Sequence, residues 1–189
     1  WTVLKKMYEK GTYKPYTEEN EQDLHDVVHY AMQICPPWIR LPRVVRDIPG
    51  EYISAGNKYP NLRQMLEKEL EMKGTPPQEI RYREIGRHPE YKFADARYVY
   101  RKYESVTGTE YFISLESPDK KAIFGFIRLM LPHHVTDYMK TSRDIIAVKY
   151  RKENMIFPDI VSCALVRELH VYGNVVPVGH KKNGESQHK

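Results

Sequence analysis

Apolar residues in the first half of the chain recur every three to four positions, which is the spacing of amphipathic helices. Residues 17–20, Thr-Glu-Glu-Asn, offer a capping hydroxyl and early acidic groups, and they predict the start of a helix that the Pro-Pro pair at 36–37 ends. A further helix is predicted over 62–73, with Asn61 as its cap and Gly74 as its stop.

From about residue 78 onward, apolar and polar positions alternate as they do in strands. Turn-forming residues separate the first three segments, which predicts an antiparallel meander followed by one more strand. Residues 133–162 are polar and interrupt this series, so we expect a long loop or insertion there. The four predicted strands are 97–105, 111–116, 122–131 and 163–172.

A β-prone run at 38–45 stands apart in the helical half. Pro42 cannot donate to a neighbouring strand, so we expect an edge strand or a bulge. Arginines recur at every third position along this run, at Arg40, Arg43 and Arg46. Such a series either contacts phosphate groups or pairs with acidic side chains on the helices, and the spacing alone leaves both interpretations open.

Composition limits the class of protein. Hydrophobic residues make up 41% and charged residues 29% of the 189 residues, which is typical of a globular protein. No apolar run approaches the roughly 18 residues of a membrane-spanning helix, and the charged first residues do not resemble a signal peptide. We therefore expect an intracellular protein without a membrane partner. The two cysteines, Cys35 and Cys163, predict neither a zinc cluster nor a disulfide framework.

Positive charge is concentrated between residues 81 and 102. This stretch holds seven Lys or Arg residues against three acidic ones, in a chain whose formal net charge is +5. Five aromatic residues lie among the basic ones, and such a mixture suits an RNA with exposed bases. A solvated strand face whose tyrosines pack into the core would have the same pattern, so both interpretations stay open.

Two pairs of residues are candidates for chemistry. His133 and His134 are adjacent, and adjacent histidines rarely bind one ion; no third ligand lies at a useful spacing, so no metal site is predicted. Glu168 and His170 lie two residues apart on one face of a predicted strand, where they either transfer a proton or serve a structural role. The strand and turn that follow fit an acetyltransferase strand beside pantetheine with its pyrophosphate loop, or an ordinary connection.

Several longer motifs resemble one known family. Residues 167–173 read RELHVYG, and Gln187-His188 matches the start of the Q-H-x-G-x-G turn of that family. PPWIRLPRVVRDIP at 36–49, AGNKYPNLRQ at 55–64 and IRYREIG at 80–86 have counterparts in the same order, as do YFISLES and GFIRLML. By these motifs, nearly the whole chain resembles the catalytic subunit of Elongator, a radical-SAM tRNA wobble-uridine acetyltransferase.

The resemblance implies an α/β fold in three parts. Residues 1–50 would be the C-terminal end of a radical-SAM barrel of partial TIM type, 51–92 a helical linker, and 93–189 the opening antiparallel strands of a GNAT-like acetyltransferase domain. We expect a partial chain, with the cluster cysteines of the family upstream of Trp1 and the remaining glycines of the phosphate turn beyond Lys189. Tyr82 stands where many archaeal and bacterial members have a zinc-binding cysteine, so this version should lack that zinc.

The chemistry implied by the resemblance needs cofactors and partners. S-adenosylmethionine and a [4Fe-4S] cluster, with ligands outside this chain, would start a radical reaction, and acetyl-CoA would supply the two-carbon unit attached to carbon 5 of the wobble uridine. The implied substrate is tRNA; other Elongator subunits and a second copy of the chain are further candidate partners. The implied location is the cytoplasm, with the nucleus added in a eukaryote. The alternative is a non-catalytic fragment that binds tRNA or partner subunits.

The resemblance also implies roles for residues of this chain. Glu168 and His170 stay the catalytic candidates, although the fragment alone is expected to be inactive. Acetyl-CoA would be contacted mostly through backbone at Leu169, His170, Val171, Tyr172, Gly173, Gln187, His188 and Lys189. The tRNA path between the domains would be lined by Arg40, Arg43, Arg46, Arg81, Arg83, Lys92, Arg101 and Lys102.

Overall fold

Helical spacing in the first half and strand alternation in the second correspond to two different units, residues 1–82 and 83–189. The structure is a computed structural model that describes residues 2–46, 48–133, 163–173, 175–176 and 187–188. The division of the sequence at residues 50 and 92 stays a prediction. None of the helices in the described ranges has the length and apolar character that crossing a lipid bilayer would demand.

The helices of the first half follow the predicted order, with two differences in capping. Asn61 precedes the helix that begins at Leu62, as predicted, but its side chain makes no capping hydrogen bond. Asn20, and not Thr17, caps the long helix: its side chain accepts a hydrogen bond of 3.1 Å from the backbone N–H of Gln22. The prediction was wrong because the extended backbone of Asn20 separates a short helix from the long one. The described helices are α1 (Val3–Glu9), α2 (Tyr16–Glu19), α3 (Glu21–Ile34), α4 (Leu62–Met72) and α5 (Ile80–Arg83).

Helices α3 and α4 bury the core of the first unit. Met32 of α3 packs with three leucines of α4 that recur at helical spacing, Leu62, Leu66 and Leu70. Each such side chain contributes roughly 1.5–3 kcal/mol to stability by leaving water. Helix α4 ends as predicted, because Gly74 has a φ of 71°, a conformation that glycine adopts without steric cost.

The β-prone run at 38–45 does not form a strand, so that prediction was wrong. Among the described residues, this unit has no strand for it to pair with, and Pro42 has no N–H to donate. The run is held by single contacts instead. The N–H of Ile80 donates to the carbonyl of Ile39 (2.8 Å), and the N–H of Leu41 donates to the carboxylate of Glu79 (2.9 Å).

The second unit is built on a four-stranded antiparallel sheet with strand order β1-β2-β3-β4. Its strands are β1 (Arg97–Glu104), β2 (Gly108–Glu116), β3 (Ile123–Pro132) and β4 (Leu165–Val171). A two-stranded parallel pair, β5 (Val175–Val176) and β6 (Gln187–His188), follows. Short 3₁₀ turns at Ile85–Arg87 and Phe93–Asp95 precede the sheet. The predicted meander and its fourth strand are confirmed.

Strand β2 begins three residues earlier than predicted, at Gly108. This position lies directly against β3: a Cβ atom there would come within 2.3 Å of the carbonyl oxygen of Leu131. Glycine therefore permits the close approach that lets Thr109 and Glu110 pair with Leu131 and Met130. The sequence indicated a turn at this glycine, whereas the turn lies just before it.

Alternation along the strands gives the sheet two different faces. One face is buried and carries Phe112 and Ser114 of β2 and Phe126 and Met130 of β3. The opposite face is half-exposed.

Of the interruption predicted at 133–162, only His133 lies among the described residues. Its Nε2 atom is 3.2 Å from the carbonyl oxygen of Ser105.

Candidate functional site

A cavity of about 670 Å³ lies at the C-terminal end of β4. It brings together all five predicted coenzyme contacts of that strand, residues 169–173, with residues 124–127 of β3 and 113–115 of β2. Tyr98 of β1 also lines it, as do Tyr91 and Phe93. A cavity of this size, with mostly apolar walls and a few polar groups, is typical of a site for a small molecule or cofactor.

Two of the remaining predicted coenzyme contacts, Gln187 and His188, form β6. Gln187 pairs with Val175 and His188 with Val176 in the short parallel sheet, so the backbone after β4 returns to run beside itself. Lys189 lies outside the described residues.

The backbone of β4 has a defined orientation beside the cavity. The N–H of Tyr172 donates to the carbonyl of Phe124 in the β3 segment at 2.8 Å. Because successive N–H groups of a strand point in opposite directions, the N–H of Val171 points away from β3. Among the described residues, β4 has β3 as its only strand neighbour, so this N–H belongs to an open edge of the sheet.

His170 is held by aromatic neighbours and by a carboxylate. Its ring stacks on Phe126 at 5.2 Å and on Tyr172 at 6.1 Å between centroids. Its Nε2 atom lies 3.1 Å from Oε1 of Glu168, and its side chain is 49% exposed. The two catalytic candidates thus contact each other on one face of β4, and His170 lines the cavity.

Arg128 of β3 fixes the other end of this pair, and sequence reasoning missed it. Its Nε atom donates to Oε2 of Glu168 at 3.1 Å, and its guanidinium donates to the hydroxyl of Tyr103. The guanidinium also lies 5.2 Å from the ring centroid of Phe112. The pairing of β3 with β4 would have identified Arg128, because Phe126 lies opposite His170 and Arg128 lies opposite Glu168.

Two of the predicted tRNA contacts are occupied inside the second unit. Arg101 binds Glu116 with two hydrogen bonds, of 2.6 and 2.9 Å, and Arg83 lies 3.1 Å from the same carboxylate. Burial alone would raise the pKa of Glu116, but the hydrogen bonds from Arg101 and Ser114 and the charge of Arg83 together hold it below its usual range. For Arg83 and Arg101, the geometry favours the structural interpretation.

The other predicted tRNA contacts are more accessible. Arg81 is half-buried and donates to the carbonyl of Pro42. The irregular path of residues 38–46 means that the every-third-residue spacing does not define one strand face. Glu67, an acidic residue of α4, lies 2.7 Å from Arg63 of the same helix and not from this series. The exposed members are Arg40, Arg43, Arg46, Lys92 and Lys102.

Tyr91 lines the cavity and is held by a hydrogen bond to a residue of the turn between β2 and β3. Its hydroxyl donates to Oδ2 of Asp119 at 2.6 Å, and this hydrogen bond, with some burial, raises the pKa of Tyr91 to about 12. Burial opposes ionisation of Asp119, but hydrogen bonds from Tyr91 and Ser117 outweigh it and lower the pKa of that carboxyl. Tyr91 therefore stays protonated at neutral pH and acts as an anchor of the wall.

The described residues contain no cluster of three or more His, Cys, Asp or Glu side chains suited to a metal ion. His88 lies beside Glu90, with 3.4 Å between Nδ1 and Oε1. Cys35 is buried, and this burial raises the pKa of its thiol; Cys163 is exposed. The prediction of a zinc-free chain stays a prediction.

Comparison with known proteins gives the class first. Residues 1–72 match the Radical_SAM C-terminal domain. Elongator complex protein 3 of Bos taurus is 31% identical over 191 residues, covering 100% of this chain and 31% of the relative. The tRNA uridine(34) acetyltransferase of Methanocaldococcus infernus is 35% identical over 178 residues, covering 91% of this chain and 29% of the relative.

A solved structure agrees with these matches. The archaeal Methanocaldococcus infernus Elp3 with an N-terminal deletion (1–46) superposes with a TM-score of 0.63 at 31% identity, covering 91% of this chain and 36% of that one. Along its whole length, the chain is thus homologous to part of the family of Elongator complex protein 3 and tRNA uridine(34) acetyltransferase. The resemblance drawn from the motifs is confirmed. The chain spans about a third of the length of the curated relatives it matches.

Proposed function

We propose that this chain is the segment of a tRNA uridine acyltransferase that joins the end of a radical-SAM barrel to the first strands of a GNAT-like acetyltransferase domain. Acetyl-CoA lies along the open edge of β4, and its two-carbon unit is destined for the wobble uridine. Homology to tRNA uridine(34) acetyltransferase supports the substrate class. The cavity beside residues 169–173 supports the position of the coenzyme.

The N–H of Val171 is the observation that carries this proposal. It points away from β3 at an edge without a strand neighbour among the described residues, next to the cavity. The pantetheine arm of acetyl-CoA has amide groups that pair with such an edge as an added strand would. The contact is therefore made through backbone, and the exposed side chains of β4 contribute less to coenzyme affinity.

In this proposal, His170 takes a proton from the group that attacks the thioester and returns it to the departing thiolate of coenzyme A, while Glu168 holds the imidazole in place. A neutral His170 that donates from Nε2 to Glu168 keeps Nδ1 as a proton acceptor, which suits a general base. Arg128 and the stacked rings of Phe126 and Tyr172 keep the imidazole and the carboxylate in register.

The radical cofactors need ligands that this chain does not supply. S-adenosylmethionine and a [4Fe-4S] cluster would supply a 5′-deoxyadenosyl radical in the full enzyme, and such a cluster is held by three or four cysteine thiolates. This chain has two cysteines, Cys35 in the first unit and Cys163 in the second, of which one is buried and one exposed. They do not fit a cluster, so no step proposed here depends on it.

The RNA contacts of the proposal are limited to the accessible basic residues. Arg83 and Arg101 are excluded, because their guanidinium groups are engaged by Glu116. The tRNA phosphates are met by the exposed members of the predicted set, Arg40, Arg43, Arg46, Lys92 and Lys102, and by the half-buried Arg81. Other Elongator subunits, a second copy of the chain and a cytoplasmic or nuclear location belong to the same proposal.

A second candidate function is a non-catalytic module that holds tRNA or a partner subunit. The two cysteines favour this second function for the isolated chain, because they do not provide the cluster that would start the radical step. The two functions differ in the coenzyme: an acyltransferase segment binds acetyl-CoA at β4, whereas a binding module retains tRNA without it.

Three variants at β4 test the coenzyme site by isothermal titration with acetyl-CoA. Val171→Pro removes the outward N–H, and we expect a loss of affinity of roughly fivefold or more, since one hydrogen bond contributes about 0.5–1.5 kcal/mol. Val171→Ala keeps the N–H and is the matched control, with affinity close to that of the wild type. His170→Ala should also bind within a few-fold of the wild type. Equal losses in Val171→Pro and Val171→Ala, or a larger loss in His170→Ala, would contradict backbone recognition.

A further inference from the structure

Two tyrosines of β1 are exposed side by side. Tyr98 and Tyr100 are 71% and 69% exposed, and their ring centroids lie 6.5 Å apart with a tilt of 37°. They occupy alternate positions of an edge strand, so their side chains share one face with that of Lys102. Among the described residues, neither hydroxyl has a hydrogen-bond partner. We call these three residues the β1 strip.

The sheet behind the β1 strip supports the rings without covering them. Tyr98 lies opposite Leu115, Tyr100 opposite Ile113, and Lys102 opposite Tyr111 in the register of β1 with β2. Those three residues of β2 are half-buried. The β1 strip is therefore a flat aromatic surface on a rigid strand, with its ring faces available to a partner.

The charge around the β1 strip is suited to an anionic polymer. The guanidinium of Arg97 donates to the carbonyls of Asp95 and Ala96, and strand alternation places its side chain on the face of β1 opposite to the β1 strip. Lys92 is exposed as well. Lys102 lies 3.6 Å from Glu104, but that carboxylate also accepts hydrogen bonds from the hydroxyl of Thr109. Glu104 lies at the end of β1 away from Tyr98.

The β1 strip also reaches the candidate coenzyme site. Tyr98 lines the same cavity as His170 and the RELHVYG strand. A planar group stacked on Tyr98 would therefore stand at the wall of this cavity, on the face of the sheet opposite to the side chain of His170.

We propose that Tyr98 and Tyr100 form a stacking platform for two unpaired bases of an RNA, while Lys102 contacts a phosphate beside them. Sheets that present aromatic side chains among basic ones bind single-stranded RNA in this way, with one base on each ring. Exposed tyrosines also occur at protein interfaces, so the exposed lysines beside the strip are what favours an RNA. The proposal rests on the proposed function, in which the substrate is an RNA with an exposed uridine.

Two double variants and a control test the platform in the full 189-residue chain. Tyr98→Leu with Tyr100→Leu keeps apolar bulk and removes the ring faces, whereas Tyr98→Phe with Tyr100→Phe keeps the rings and removes the hydroxyls. Tyr52→Leu, at a position that is 76% exposed in the first unit, is the control for loss of an exposed tyrosine. Fluorescence anisotropy measures binding of a short single-stranded RNA and of a hairpin in which the same bases are paired.

We expect the leucine pair to bind the single-stranded RNA roughly tenfold or more weakly, because each stacked base contributes about 1–3 kcal/mol. The phenylalanine pair and Tyr52→Leu should bind within about twofold of the wild type, and binding of the hairpin should change little in any variant. Circular dichroism confirms that each variant is folded. Equal binding by the leucine pair overturns the platform, as does an equal loss for the hairpin.

The same measurements separate this inference from the proposed function. If the leucine pair retains full RNA affinity while acetyl-CoA still binds at β4, the platform is wrong and the proposed function stands. If the wild-type chain binds neither RNA, the proposed function fails along with the platform. Formation of a dimer that the leucine pair abolishes, measured by sedimentation without RNA, would assign the β1 strip to a protein contact and overturn the proposal.

Discussion

A completely buried carboxylate lies in the described part of each unit, and the two carboxylates do different work. Glu79 of the first unit and Glu116 of the second are both 0% exposed. Glu79 accepts hydrogen bonds from three backbone N–H groups, those of Leu41, Arg81 and Tyr82, and from the side chain of Arg63. Glu116 accepts from the side chains of Arg101 and Ser114, with Arg83 nearby.

The difference follows from the backbone around each carboxylate. Residues 38–45 have no strand to pair with in the described part of the first unit, so the N–H of Leu41 donates to Glu79 instead. Glu79 also accepts from the N–H groups of Arg81 and Tyr82 in the first turn of α5, which have no partner within that helix. In the sheet, the strands already satisfy each other, and Glu116 compensates the charge of arginines instead. One carboxylate thus determines a local fold, and the other determines which arginines remain available to a ligand.

Removal of the Glu79 charge should have the largest effect. In Glu79→Gln, the amide turns N–H groups toward backbone donors and leaves Arg63 with Glu67 in place of two carboxylates, so we expect a loss of about 3–5 kcal/mol in the free energy of unfolding. Hydrogen exchange should show faster exchange at the amides of Leu41, Arg81 and Tyr82 and little change in β2. Glu51→Gln, at an exposed glutamate of the same unit, is the control. Unchanged protection of these three amides would contradict the backbone role.

Removal of the Glu116 charge should cost less and should depend on pH. The side chain of Arg101 is still 16% exposed and can reach water, so we expect Glu116→Gln to lose about 2–3 kcal/mol at neutral pH. Because the folded state lowers the pKa of Glu116, its contribution is present above the unfolded value of about 4.3 and is lost as the pH falls through the lower folded value.

Denaturant unfolding at several pH values measures this contribution. The wild type should lose more stability than Glu116→Gln as the pH is lowered below about 4, so that the two stability curves converge in acid. Parallel curves would mean that Glu116 is not stabilised in its ionised form.

The sequence predicted the meander well because strand alternation and turn residues are local signals. The position of RELHVYG beside the cavity followed from a long motif rather than from spacing. Two other features lay beyond local reasoning. The β-prone run at 38–45 does not form a strand because the described part of its unit offers no strand to pair with. Arg128 was missed because its role depends on which residue of β4 lies opposite it.

The basic residues also show that a local sequence pattern does not predict which side chains meet in the fold. In the sequence, Arg83, Lys92, Arg101 and Lys102 belong to one basic and aromatic stretch with a single average charge. Burial then separates them: Arg83 is 3% exposed and joins Arg101 at Glu116, whereas Lys92 and Lys102 face solvent. A linear pattern records charge density, but it does not record which charges a buried carboxylate removes.

Because exposed and buried basic residues differ in their partners, their variants should differ in how tRNA binding depends on salt. The effect of each single charge should be smaller than the effects predicted for Glu79 and Glu116. In a variant with alanine at Arg43, Arg46, Lys92 and Lys102, the slope of log affinity for tRNA against log salt should become shallower. The expected change is about 0.7–0.9 for each phosphate group that the variant no longer neutralises. The melting temperature should stay close to that of the wild type, because surface charges contribute little to folding.

The matched control is the double variant Arg83→Ala with Arg101→Ala. It should lower the melting temperature by leaving Glu116 buried without its partners, and it should keep the wild-type salt slope. Fluorescence anisotropy with tRNA at several salt concentrations measures the slope, and circular dichroism measures the melting temperature. If the exposed set left the slope unchanged, or if the buried pair reduced it by as much, the division that Glu116 makes between structural and ligand-binding arginines would be wrong.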